Sequence, residues 1–166
     1  MSRQPTLNMI ARIRTVLPMP RPIRLATRAL ILINNRLLLV NAFPGAQSDL
    51  WCAPGGGADP HASLPENLKR ELREETGLEI AVGAPVLVNE FHDPRRDFHQ
   101  VDVYFRCIAL NDLPDAWTDP ECVVTTRRLF ARSDMAGIRF KPDSLPDVAW
   151  ATSDAIAYDA LEPLVR

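Results

Sequence analysis

Cysteine is scarce in this sequence: Cys52, Cys107 and Cys122 are odd in number, widely spaced and never in a C-x-x-C arrangement. That pattern argues against a disulfide scaffold and against a thiolate zinc site, and it fits a reducing cytoplasm. No apolar run approaches the roughly 20 residues needed to cross a bilayer, and Arg12 and Arg14 interrupt the apolar residues near the start, against a secretory signal. Internal repeats and low-complexity segments are absent. Lysine is nearly missing, two against 17 arginines, which follows genome base composition rather than chemistry. Acidic residues are missing from the first 48 positions, which hold seven arginines, whereas the remainder carries 12 basic and 21 acidic residues. A net charge of −2 therefore hides +7 facing −9. Such a segment suits a transit peptide, a phosphate- or RNA-binding arm, or a strand of chain packed on the acidic body or on a second subunit. The last is the reading adopted; it leaves a homodimer open, and nucleic acid is not expected.

What remains is globular in composition, 46% hydrophobic and 24% charged, and 166 residues suffice for one domain with a core. Residues 1–24 read as an Arg-rich helix (6–17) and a proline-rich connector, and 25–166 as the core. Ala26–Ile33 and Arg36–Ala42 are β-rich runs separated by Asn34-Asn35, a hairpin signal because asparagine tolerates positive φ. A short strand is expected at Trp51–Ala53, a helix at Ser63–Thr76, and a strand pair at Ile80–Phe91 and Phe98–Leu110. Beyond a loop at 111–122 come a strand at Arg127–Ala131, a helix at Asp143–Trp150 and a last helical segment at Ser153–Leu161. The order gives α/β or α+β.

Within the 63–76 helix, Glu71, Glu74 and Glu75 stand at i, i+3 and i+4 and share one face. Three carboxylates so placed are costly unless neutralised, and a hard divalent ion, Mg²⁺ above all, is the natural partner. Leu64, Leu68 and Leu72 form the apolar stripe of the same helix, and Thr76-Gly77 ends it with glycine placed for a left-handed cap. Gly55-Gly56-Gly57 precedes it, a backbone able to approach a ligand closely and to turn N–H groups toward phosphate.

Joined together, Gly56-x5-Ala62-x7-Arg70-Glu71-Leu72-x-Glu74-Glu75-x-Gly77-Leu78 resembles the box of the Nudix hydrolase family, G-x5-E-x7-R-E-U-x-E-E-x-G-U with U aliphatic. Trp51-Cys52-Ala53-Pro54 also resembles the segment leading into that box. One defined position departs: Ala62 stands where the family has glutamate, and His61 replaces a common glycine. The resemblance implies a mixed sheet between helices, an α/β/α sandwich. It implies a hydrolase that cleaves a diphosphate linkage in a nucleoside diphosphate joined to another group, with Mg²⁺, or Mn²⁺ in its place.

Carried over residue by residue, Glu71, Glu74 and Glu75 hold metal with the carbonyl of Gly55 or Gly56. Arg70 keeps the carboxylates in register through charge-assisted hydrogen bonds. Asp59 or Glu66 stands in for the missing glutamate, Glu66 being one turn before Arg70. The general base is open among Glu71, Glu90, Asp119 and Glu121, with His99 read as structural. Trp51, Gly56, Arg95, Arg96 and Glu121 are the substrate-binding candidates, with Phe43, Phe91 and Tyr104 as further aromatics able to stack on a base. ADP-ribose, nucleotide sugars, dinucleoside polyphosphates and nucleoside triphosphates are not separated. Ala62 keeps alive a non-catalytic nucleotide-binding sensor on the same fold, and an isomerase is a third reading that no residue favours.

Overall fold

A computed structural model describes residues 21–153 and 155–165; the helix expected over 6–17 lies outside them. Strand β1 (Arg24–Ile33) turns through Asn34 and Asn35, at φ 48° and 60°, into antiparallel β2 (Arg36–Asn41). Both turn residues occupy the left-handed region that asparagine reaches at low cost, so the turn chemistry anticipated from the sequence is the one used. A short strand β3 (Leu50–Cys52) pairs with β2, and long strands β4 (Ile80–Asp93) and β5 (Phe98–Ala109) pair antiparallel with each other. β6 (Arg127–Phe130) adds to β2, and β7 (Arg139–Phe140) runs parallel to β3.

The sheet is mixed, in the order β7-β3-β2-β1-β5-β4-β8 with β8 at Ala157–Pro163, because β1 lies parallel to β5. Strand alternation sends neighbouring residues to opposite faces. Ala29, Ile31 and Leu38 pack on Leu68 and Leu72 of helix α1 (Leu64–Thr76). Leu30, Leu37 and Phe130 pack on Leu145 and Ala149 of the short helix α2 (Leu145–Ala149). Helices therefore cover both faces, and the expected α/β/α layering holds.

Helix α1 forms where the sequence places it. Ser63 caps the first turn, accepting from the Glu66 backbone N–H, while Glu66 reaches back to the Ser63 N–H at 2.9 Å. Gly77, at φ 73°, closes the helix with its N–H on the Arg73 carbonyl. Glu66 is thus committed to the cap and does not reach Arg70.

One expected element is different in kind. Residues 153–161 do not form a helix; Ala157–Pro163 is strand β8, parallel to β4. Its half-buried residues Ala157, Asp159 and Glu162 interleave with exposed ones, a rhythm close to period two. The free edge of β4 supplies hydrogen bonds that no isolated helical turn could match, and tertiary pairing overrides local preference.

Candidate active site

The glycine loop is laid along β1. Ala29 N–H donates to the Pro54 carbonyl, Thr27 N–H to the Gly56 carbonyl, and Ala58 N–H to the Leu25 carbonyl, each at 2.9 Å. Gly55 sits at φ 136°, and a Cβ there would overlap the Thr27 carbonyl oxygen. Its N–H donates to Glu75 Oε2 at 2.7 Å, which fixes the end of α1 to the loop. A Cβ on Gly56 would stand inside the Glu71 carboxylate. Glycine is needed at Gly55 because the loop lies against the backbone of β1, and at Gly56 because the backbone touches the Glu71 carboxylate. Gly56→Ala is expected to push Glu71 aside and lower kcat by about a hundredfold, as misplacement of a catalytic group by an ångström does, while circular dichroism stays native. A variant with unchanged kcat would show that Glu71 need not sit against the loop.

Arg70 ties the acids together, as its place in the box implied. It lies 2.8 Å from Glu71 Oε1, 3.0 Å from Glu74 Oε2 and 3.0 Å from Asp59 Oδ2. Asp59 is held in turn by Asn67, whose Oδ1 accepts the Asp59 N–H at 2.9 Å. Asp59, not Glu66, is therefore the loop acid joined to the cluster. Ala62 is exposed, offering only its carbonyl to Asn67, and His61 adopts φ 69°, the backbone state that glycine favours.

A cavity of about 510 Å³ opens beside the loop and takes in Glu71, Glu75, Arg70 and Gly55–Gly57. Glu74 does not line it; its carboxylate turns to Arg70. The three carboxylates expected to grip one ion are thus divided, Glu71 and Glu75 lining the cavity and Glu74 outside it. Among the described residues no three His, Cys, Asp or Glu side chains stand close enough together to hold a metal ion.

Burial, opposed by Arg28 and the Gly55 N–H and reinforced by Glu71 and Asp119, pushes Glu75 up to about 7. Burial also raises Glu71, against Arg70 and with Glu74 and Glu121. These two carboxylates and the Gly55 carbonyl are an all-oxygen donor set, and the carboxylates are desolvated and repel each other. A hard divalent cation fits such a set and relieves both penalties.

The cavity floor holds an arginine that the sequence reading missed. Arg28 of β1 donates through Nη1 to the Gly55 carbonyl at 2.7 Å and through Nε to Asp102 Oδ2 at 3.3 Å. Burial opposes its charge, and Asp102, with Cys52, Tyr104 and Glu75, more than offsets that, holding it above its ordinary value. Asp102 also accepts from Gln100 Nε2 at 2.6 Å, and Gln100 Oε1 accepts from Arg24. The signal was present: an arginine inside the apolar run Ala26–Ile33 needs a buried counter-charge. Cys52 beside it is pushed up to about 11 by burial, so its thiol stays neutral.

Other candidates are scattered. Glu121, Phe43, Phe91 and Tyr104 line the cavity. Trp51 does not: it meets Phe130 edge to face at 5.0 Å, so the aromatic expected to stack on a base is a packing residue. Arg95 and Arg96 occupy an exposed 3₁₀ turn outside the cavity, Arg96 paired with Asp93 at 3.4 Å. Asp119 is consumed by the loop it sits in, accepting the N–H groups of Glu121, Val123 and Val124 at 2.7–2.9 Å. Glu90 is held by Tyr158 at 2.8 Å and His99 at 3.3 Å, away from the cavity.

The family model described as the NUDIX domain matches residues 22–151. The chain belongs to the NUDIX family. As a NUDIX protein it is a pyrophosphohydrolase acting on phosphoric anhydrides. It is 27% identical over 107 residues, 54% of its own length and 70% of the relative's, to a nucleoside triphosphatase, NudI, of Salmonella heidelberg. A UDP-X diphosphatase structure matches 86% of the NUDIX chain and 70% of its own, at TM-score 0.64 and 20% identity. An ADP-ribose pyrophosphatase of Streptococcus suis matches at TM-score 0.60 and 20% identity, over 85% of the NUDIX chain and all of its own. These two structures share its fold. Among the described residues no helix is long and apolar enough to cross a membrane.

Proposed function

We propose that this NUDIX protein is a Mg²⁺-dependent hydrolase that cleaves the diphosphate linkage of a nucleoside diphosphate joined to another group. The observation that carries the reading is the pair Glu71 and Glu75, both facing the cavity, both desolvated, and both in contact with the glycine loop. A bound divalent cation would supply charge neutralisation of the diphosphate and Lewis acidity. Glu71, Glu75 and the Gly55 carbonyl would hold it, and Arg70 keeps the carboxylate of Glu71 aimed by direct contact. Loop N–H groups of Gly56 and Gly57 are the backbone closest to an incoming phosphate. Of the four acids considered for the base, Asp119 and Glu90 are spent on other partners and Glu71 serves the cation, so Glu121 is assigned the proton from water. Glu121→Gln is then expected to lower kcat with KM held; an unchanged kcat removes the assignment.

ADP-ribose, nucleotide sugars, dinucleoside polyphosphates and nucleoside triphosphates all carry the linkage, and relatives named for nucleoside triphosphate, UDP-X and ADP-ribose support keeping them together. The test is a hydrolysis panel with these substrates and Mg²⁺, with Glu75→Gln as blank. Turnover of one class, lost in the blank, establishes the activity. Ala62, in place of the family's glutamate, keeps a nucleotide sensor as a second reading. Tight nucleotide binding with no turnover across the panel would select it. Free cysteines suit a cytoplasmic home, which we propose for it.

A further inference from the structure

Asn89 lies on β4 with 2% of its surface exposed, lines the cavity, and its Nδ2 has no hydrogen-bond acceptor. Buried amide N–H groups are paired in the great majority of cases, so an orphan on a residue that borders a cavity asks for a partner. The protein has two acceptors in register with it and gives it neither. Asp102 is its cross-strand neighbour on β5, but takes Gln100 Nε2 on one oxygen and Arg28 Nε on the other. Asp159 is its neighbour on β8, but receives the Ser144 hydroxyl at 2.6 Å. The polar floor is otherwise closed: Arg24, Gln100, Asp102 and Arg28 satisfy one another in a chain.

Two residues along β4 from Asn89, and on the same cavity, stands Phe91, with the ring of Phe98 at 6.0 Å and tilted by 42°. The missing partner therefore has a describable chemistry. It offers a lone pair to an amide. It carries no negative charge at that end, because the carboxylate-bearing residues Asp102 and Asp159 stand in register on either side of the amide. It has a flat apolar face for the phenylalanines. A heterocyclic base has all three properties, whereas a phosphate or a sugar lacks the third. We propose that Asn89 is a specificity-determining residue that reads the base of the nucleotide, its Nδ2 donating to a ring acceptor while Phe91 and Phe98 cover the face. This rests on the reading of a nucleotide substrate for the same cavity, and it names the group that reading leaves open.

The test is calorimetric binding to the full chain, without turnover. The probes are AMP, GMP, CMP and UMP, with ribose 5-phosphate as the baseless control. Wild type is expected to bind at least one of the four about tenfold or more tighter than ribose 5-phosphate, the size expected when a buried donor gains its partner. Asn89→Leu is expected to erase that preference while leaving ribose 5-phosphate binding within twofold. Its thermal midpoint without ligand should be unchanged or higher, because an unpaired buried amide has been removed. Should the leucine not fit, Asn89→Ala is read in the same way. Retention of the full preference in the variant that folds, or no preference for any base in wild type, overturns the proposal. Because no hydrolysis is read, an inactive protein with Asn89-dependent base binding would sink the hydrolase reading and leave this one standing.

Discussion

Glu75→Gln is expected to lower kcat by about a thousandfold, in the range lost when a preorganised charge at a reacting centre is removed, and at the same time to make the cation-free protein more stable. The second half follows from the proton balance. Glu75 titrates near 7 in the folded chain against an ordinary value of 4.5. Below about pH 4.5 it is protonated in both states and costs nothing. As pH rises toward 7 the unfolded chain releases its proton first, and stability is lost progressively until the folded carboxyl ionises too. At about 1.4 kcal/mol per pH unit the loss is about 3 kcal/mol. Glutamine keeps an oxygen for the Gly55 N–H and has no proton to lose. Denaturant melts at pH 5 and pH 8 without divalent ion should show parent and variant close together at the lower pH. The variant should be ahead at the higher one. Adding Mg²⁺ should lift the parent and not the variant. A variant less stable than the parent at pH 8 would mean that the Glu75 charge is already well compensated by Arg28.

Arg28→Met is expected to cost about 3–5 kcal/mol, because it leaves a carboxylate buried without its counter-ion. Asp102 is 3% exposed at its side chain and lies 3.3 Å from Arg28 Nε. The fall corresponds to a thermal midpoint lower by about 10 °C for a chain of this size. Asp102→Asn in the same chain should return part of that loss, since it removes the stranded charge, and the double-mutant cycle isolates the pair. Additive losses would show that Arg28 stabilises through the Gly55 carbonyl instead, its other partner at 2.7 Å.

The two variants mark the boundary of what could be read from the residues alone. The helix that carries Glu75 was legible to its ends, because the leucine stripe and Gly77 act within a few positions of one another, whereas the role of Glu66 in its cap was not read. The Asn34-Asn35 turn was legible for the same reason. Arg28 was not, because its partner is 74 positions away and only the parallel pairing of β1 with β5 brings the two together. Strand β8 was misread where local alternation was weak and the edge of β4 decided the outcome. Trp51 shows the opposite error. Its place next to the glycines suggested a ligand contact, whereas the strand that carries it turns the ring toward Phe130. Glu74 pairs with the guanidinium of Arg70 and does not line the cavity, which its helical spacing from Glu71 did not reveal.

That β1–β5 pairing also sets an order of events during folding. Arg24 must find Gln100, and Arg28 must find Asp102, across more than 70 residues of intervening chain. Such long-range parallel contacts close late, since the loop entropy must be met before they form. Until they do, the guanidinium that steadies Gly55 lacks its Asp102 counter-ion. A nascent or partly opened chain is in that sense without a working centre even when its acidic helix is fully formed.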